Sequence, residues 1–332
     1  MKKKCLTIGI IILFFGMCVI PTSAKNIEKS QSISKGNWLY VGGSGPGNYT
    51  KIQDAVDNAS NGDTVFVFDD SSPYVENIVI NTSLSLIGEK KETTIINGST
   101  NDSNPDMNLS FGIMVIADNV LVKGFTIQGC NLSGIGLFSK NNSILENIFS
   151  DNEFGVTTGS GNTISSNLFI GNNVGIYIGN GSNNIFGNMI SNNSVGVGVV
   201  LSKNDNISNN VFSENGYGVY ISGSYNTMLY RNNISYNNEG VYTWVTSGDK
   251  ILQNNFIGNN KSANSIQNIL MKIPLFKKEL NLPIHRNVWS GNYWDDWDGT
   301  GPYVIYTKTI FIRHFSFDWH PAKVPYDAPG MT

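Results

Sequence analysis

Apolar residues recur along this chain in short patches set between asparagines and glycines, not in helical stripes. One unit reads Asn142, Ile144, Asn147, Phe149, Asn152, Gly155, Val156. It returns as Asn162, Ile164, Asn167, Phe169, Asn172, Gly175, Ile176, and again as Asn183, Ile185, Asn188, Ile190, Asn193, Gly196, Val197. The next units are Asp205, Ile207, Asn210, Phe212, Asn215, Gly218, Val219, then Thr227, Leu229, Asn232, Ile234, Asn237, Gly240, Val241. A partial copy, Asp249, Ile251, Asn254, Phe256, Asn259, ends a series whose step is 20 to 22 residues. Each unit holds three apolar patches too short for a helix and suited to strands of a few residues. Three strands joined by tight corners make one coil of a solenoid, and such coils stack at the strand spacing of ~4.8 Å. The pattern therefore predicts a parallel β-helix, with the Ile144 and Phe149 positions as interior columns. The Asn147 position becomes a stacked amide ladder that pairs corner backbone groups. A leucine-rich repeat shares the period, but its leucine-dense signature is absent.

Looser coils precede the regular ones. Thr64–Phe68, Tyr74–Ile80, Leu84–Gly88 and Thr94–Gly98 read as strands, and residues 99–110 as a polar outward loop. Ile52, Ala55, Val56 and Ala59 recur at helical spacing, and Thr50 with Gln53 predicts a capping box for a short helix over the open first coil. At the other end, Ile266, Ile269, Leu270 and Ile273 suggest a short helix that breaks the repeat, and Trp289, Tyr293, Trp294 and Trp297 crowd together to close the core. The expected division is 1–24 signal peptide, 25–48 linker and first strand, 49–259 β-helix with its cap helix, 260–288 excursion, and 289–332 aromatic closing segment.

Composition narrows the function classes. Charged residues make up 14% of the 332 positions and the net charge is −3, with arginine only at Arg231, Arg286 and Arg313, so a nucleic-acid partner is excluded on bulk charge. Asparagine outnumbers even the 35 glycines, which suits tight turns. Lys2 to Lys4, the apolar run Ile8–Ile20 and Pro21-Thr22-Ser23-Ala24 have the layout of a secretory signal, with an uncleaved anchor as the alternative. The run is too short to cross a bilayer of ~30 Å, so no membrane span is expected in the mature chain, which would be secreted or held at the cell surface. Removal of Cys5 and Cys18 leaves Cys130 alone, expected in the core. Asn-x-Ser/Thr triplets such as Asn48-Tyr49-Thr50 recur as acceptors for glycosylation in an exported chain.

Several segments together carry a family resemblance. Ile52-Gln53-Asp54-Ala55-Val56, Gly62-Asp63-Thr64, Tyr74-Val75-Glu76-Asn77 and Leu84-Ser85-Leu86-Ile87-Gly88, with the Asn-rich coils, resemble the pectin-lyase-like superfamily, and within it the NosD-type group carrying carbohydrate-binding and sugar-hydrolysis repeats. Asn287-Val288-Trp289 and Gly291-Asn292-Tyr293-Trp294-Asp295-Asp296-Trp297 resemble the segment that closes the solenoid in exported archaeal members. The resemblance implies an all-β fold, a right-handed parallel β-helix. It leaves function open, because the fold hosts lyases, hydrolases, esterases, adhesins and inactive binders. Glu76-Asn77 matches the superfamily's opening and reads as structural.

Three activities compete. Glycoside hydrolysis needs two carboxylates ~5–9.5 Å apart. Among the coil acids Asp151, Glu153, Asp205, Glu214, Glu239 and Asp249, the first two are corner neighbours with no partner at the same position one coil away, and Glu214 and Glu239 fall at different repeat positions, so the acids read as solvated corners. The Gly-His-Gly element of polygalacturonases is absent, and Arg231, as a lyase base, has no carboxylate cluster in register. Copper handling, implied by the NosD resemblance, needs clustered His, Met or Cys. His314 and His320 are weak candidates beside Asp318, and no His- or Met-rich tract supports them. Asp295, Asp296 and Asp298 have spacings that could wrap calcium, or form a solvated turn. Otherwise no cofactor is called for.

The best signal is aromatic. Tyr177, Gly198, Tyr220 and Tyr242 share one repeat position that alternation points outward, and Trp244 faces the same side. Such rings suit the C–H faces of sugars, or equally stacking across strands or under the C-terminal arm. The leading expectation is a non-catalytic protein whose partner is a polysaccharide or cell-surface glycan, or a structural or adhesion element. A carbohydrate-active enzyme and a copper-handling protein are the alternatives.

Overall fold

In the computed structural model, which describes residues 36–98, 110–266, 286–308 and 314–327, each repeat unit folds into one turn of a parallel β-solenoid. Gly36–Thr332 is one compact unit. A typical coil has a long strand, Val174–Ile178, and two short ones, Asn184–Phe186 and Met189–Ser191. Like strands pair in parallel from coil to coil, so Phe149 meets Phe169 and Phe169 meets Ile190. The last strand of each coil joins a ten-stranded sheet that runs from Tyr74–Val75 to Tyr293–Trp294, which sets about ten turns. Both interior columns are fully buried from Ile144 to Ile251 and from Phe149 to Phe256. Where two rings meet they stack, as Phe149 does on Phe169 at 4.7 Å and 7°.

The corners explain the asparagines. Glu146, Ser166, Asn209, Arg231 and Gln253 have φ between 53° and 57°, in the left-handed region, and Gly187 occupies the equivalent place at 64°. That backbone is unfavourable for most side chains, and the asparagine one position later holds it. Asn188 Oδ1 accepts the Asn167 N–H at 3.0 Å and the Asn167 side-chain amide at 3.1 Å. Asn188 Nδ2 donates to the carbonyls of Ile164 and Phe186 at 2.9 and 3.1 Å and to Asn210 Oδ1 at 2.9 Å. The buried backbone groups at the turn are thereby paired.

The structure holds three such ladders where one was expected. A second climbs through Asn152, Asn172, Asn193, Asn215, Asn237 and Asn259. The third passes through Asn142, Asn162 and Asn183 to Asp205, and through Thr227 and Asp249 to Asn287. Asp205 and Asp249 are therefore buried ladder members and not solvated corners. The ladder that was expected continues from Asn254 to Asn292 and ends on Asp318, whose carboxylate accepts from Asn292 and from the Trp294 indole N–H. A second backbone constraint sits in the long strands. A Cβ on Gly175 would lie 2.6 Å from the Gly196 carbonyl oxygen, and one on Gly196 would lie 2.5 Å from that of Gly218.

The ends differ from expectation in detail. The helix spans Ile52–Asn58 and buries Ile52, Ala55 and Val56. No Thr50–Gln53 capping box forms. Its N-cap, Lys51, makes no side-chain cap, and the Glu76 carboxylate of the next coil accepts the Ile52 and Gln53 N–H groups at 2.9 and 3.0 Å. A carboxylate taking two N–H groups at the positive end of the helix outcompetes a local hydroxyl. Gln53, freed from the box, pairs with the main chain of Val79 in both directions.

At the other end the coils do not stop at residue 259. Lys261–Ile266 is a long strand paired with Glu239–Trp244, so Ile266 ends a strand and does not begin a helix. Ile269, Leu270, Ile273, the 99–109 loop and the 1–24 segment lie outside the described residues. Trp294 stacks on Phe256 at 4.1 Å and Tyr303 on Trp294 at 4.0 Å, while Trp289 pairs with Ile251 at the end of the other column. Tyr303–Lys308 and His314–Asp318 then form an antiparallel pair.

Candidate functional site

The long strands share one outer face, and one position on it runs in register through Tyr177, Gly198, Tyr220, Tyr242, Asn264 and Tyr306. Tyr220 and Tyr242 stack at 5.3 Å with planes 4° apart. Tyr217 meets both edge-on, at 5.9 and 5.7 Å. Tyr217 shares their face although it precedes Tyr220 by three residues, because Gly218 and Val219 are both buried and the alternation slips there. Trp244 is 47% exposed on the same side. Tyr177 departs from expectation: it is only 6% exposed, with its ring edge-on to Phe154 at 5.6 Å, and burial pushes its phenol up to about 12. The rings that reach solvent here are thus Tyr217, Tyr220 and Tyr242, each half-buried, and the exposed Trp244.

Between Tyr242 and Tyr306 the face turns polar. Glu239, expected at a solvated corner, opens a long strand and lies among the rings. Its Oε1 is 4.0 Å from Lys261 Nζ, and its Oε2 accepts from Asn264 Nδ2 at 3.3 Å. Lys261 Nζ also lies 5.6 Å from the centre of the Tyr306 ring. Asn264 is 8% exposed, and its Oδ1 is buried with no hydrogen-bond partner among the described residues. The Tyr217 and Tyr242 phenols are raised above their ordinary range, chiefly by burial, with Glu239 adding to it.

The antiparallel pair extends this surface sideways. Val304 pairs with Phe317 and Tyr306 with Phe315, so all four project on one face, and Phe315, Phe317 and Trp319 follow one another with ring centres 6.4 and 5.2 Å apart. Trp319 is 65% exposed. The alternation Phe315-Ser316-Phe317-Asp318-Trp319 was the sequence signal for this extension. A separate group of rings lies on the first coils, where Trp38, Tyr40, Phe66 and Phe68 contact one another within 6.2 Å.

The acidic candidates do not converge. Asp295 accepts the Gly258 N–H, Asp296 the Tyr303 hydroxyl, and Asp298 both the N–H and hydroxyl of Thr300, which lowers its carboxyl below the ordinary range. The main-chain N–H of His320 donates to Asp318, and the His314 side chain lies outside the described residues. Arg231 lies over Tyr230 and donates to Gln253. Glu153 accepts from Asn173.

A family model described as Periplasmic copper-binding protein (NosD) matches residues 56–299. No match to a curated protein is significant. Among solved structures, that of XylC in complex with xylose is similar at a TM-score of 0.56 and 12% identity, over 69% of this chain and 68% of that one. Pectate lyase Pel9A is similar at a TM-score of 0.53 and 15% identity, over 81% and 82% of the two chains. Likeness at these identities is one of fold. Copper, which the family description names, calls for a cluster of His, Met or Cys. Among the described residues no group of three or more His, Cys, Asp or Glu could hold a metal, and Cys130 is buried with its thiol pushed up to about 12. The described His, Cys and acidic residues thus offer copper no cluster of three.

Proposed function

This chain belongs to the NosD family, and from that premise we propose that it is an exported solenoid that binds glycans non-catalytically on the outer face of its long strands. The observation that carries the reading is the in-register ring column of Tyr220 and Tyr242, which leads through Glu239, Lys261 and Asn264 to Tyr306. Sugar rings offer apolar C–H faces to aromatic surfaces and hydroxyls to carboxylates and amides, and this face supplies both kinds of contact along one line. A ring contact is worth on the order of 1 kcal/mol, so useful affinity requires several coils engaged at once. Among the described residues no helix is long and apolar enough to cross a membrane. The periplasmic location of the family supports export. The test is calorimetric titration of the full chain with soluble polysaccharides, with product analysis on the same samples. Saturable binding without chain shortening is expected. Shortening with turnover would overturn the non-catalytic reading.

A further inference from the structure

We infer that Asn192 is the acceptor for an N-linked glycan, transferred from a lipid-linked oligosaccharide once the chain is exported. The inference rests on export alone and is independent of sugar binding by the ring face. Asn-x-Ser/Thr triplets recur through the chain, and the fold sorts them. No ladder asparagine has Ser or Thr two residues on. That place belongs to the interior columns, as Ile144 follows Asn142 and Phe149 follows Asn147, or to the start of a long strand, as Val195 follows Asn193. Every triplet therefore begins off the ladders, where its first residue is free to face outward.

An acceptor needs its amide nitrogen in solvent and the hydroxyl two residues on accessible, since the triplet defines the site and the product is bulky and hydrated. In the triplets that begin at Asn131, Asn206, Asn233 and Asn260 the third residue is a buried serine. Asn48 and Asn58 donate their side-chain amides to the carbonyls of Gly42 and Asp54 at 2.6 and 2.8 Å. The Ser83 hydroxyl of the Asn81 triplet donates to the Asp118 carbonyl at 2.6 Å, and Asn180 Oδ1 accepts the Gly181 N–H at 3.0 Å. Ser143, two residues after Asn141, is half-buried. The triplets at Asn97, Asn101 and Asn108 lie partly or wholly outside the described residues. Asn192 and Ser194 are both exposed, and neither side chain has a hydrogen-bond partner among the described residues. The corner sets this up. Asn192 has φ 55°, a left-handed conformation that asparagine tolerates, and its N–H donates to the Ser213 carbonyl at 3.3 Å, while Asn193 turns inward to join its ladder. In the transfer, Asn192 Nδ2 attacks the anomeric carbon of the donor. The N–C1 bond forms as the bond from C1 to the phosphate oxygen breaks, the lipid phosphate leaves, and the amide gives up one proton.

The test is intact-mass and glycopeptide mass spectrometry on the chain recovered from the envelope or medium of its own source cells, as wild type, Ser194→Ala and Ser194→Thr. Both substitutions leave the Asn192 corner untouched, so the fold is kept, which the melting transition checks. The wild-type peptide that holds Asn192 should carry a glycan. Ser194→Ala should lose that mass, and Ser194→Thr should keep it. An exported wild-type chain with bare Asn192 overturns the inference. So does a glycan that survives Ser194→Ala, or one carried on Asn48, Asn180 or Asn206 in place of Asn192. A chain confined to the cytoplasm overturns the export reading and this inference with it.

Discussion

Two aromatic columns climb this solenoid on opposite sides of its sheets. Inside, Phe149 stacks on Phe169 at 4.7 Å, and Phe256, Trp294 and Tyr303 stack at 4.1 and 4.0 Å. Outside, Tyr220 stacks on Tyr242 at 5.3 Å. The geometry is nearly the same, because both columns inherit the strand spacing. The surroundings differ. Interior rings from Phe149 to Trp294 are closed in by the coil and its amide ladders, with the half-buried Tyr303 as the lid of the column, whereas the outer rings keep edges in water and have polar neighbours at Glu239, Lys261 and Asn264. Stacking therefore does not reveal what a column is for; the cost of removing a ring does. The sharpest way to break the comparison is Phe212→Ala, which leaves a cavity in the interior column and should cost about 3–5 kcal/mol in urea unfolding. A cost below about 1 kcal/mol would mean that the interior column is no more structural than the outer one.

A contrast of the same kind separates the ladders. Two are built of asparagine, and the third carries Asp205, Thr227 and Asp249. An amide donates and accepts, whereas a carboxylate only accepts, so an acid in a ladder must hold a proton to behave as its neighbours do. Burial raises both carboxyls. At Asp205 a hydrogen bond donated by the Ser202 hydroxyl opposes that rise, while Asp249 Oδ2 has no partner among the described residues, and burial pushes this carboxyl to about 7 against hydrogen bonds from Thr246 and Thr227 that work the other way. Because the folded value lies above the unfolded one, the folded chain binds the extra proton between them. The contribution is full below about pH 4 and is lost as pH rises through about 7, by up to about 4 kcal/mol. Asp249→Asn should flatten that part of the stability–pH curve and leave the variant more stable than wild type at pH 8. Equal slopes for both proteins between pH 4 and 7 would contradict this.

How much of this was legible in the sequence depended on whether a residue repeats. The columns, the ladder through Asn147 and the register of Tyr220 with Tyr242 all follow from a 20- to 22-residue step. The other two ladders were visible as repeated asparagines, but their role needed the corner geometry. Features that occur once were missed. Glu76 caps a helix 24 residues upstream, a partner that local spacing cannot name. Tyr306 joins the outer column 42 residues after Asn264, beyond a break in the period. Glu239 looked like a corner acid because the slip at Gly240 and Val241 is invisible to strict alternation. The cap offers a smaller, local test: Glu76→Ala should cost about 1–2 kcal/mol and speed hydrogen exchange at the Ile52 and Gln53 amides. Unchanged exchange at both amides would rule Glu76 out as the cap.

The smallest expected effect on stability belongs to the outer column, and it bears most directly on the account. The double change Tyr220→Ala and Tyr242→Ala should shift unfolding by no more than about 1 kcal/mol, since both rings are partly solvated and leave no interior cavity. The decisive measurement is calorimetric titration of that variant and of wild type with the soluble polysaccharide that wild type binds best. The account predicts at least a tenfold loss of affinity at nearly unchanged stability. Full affinity in the double variant, or loss of binding only together with loss of the fold, would contradict it.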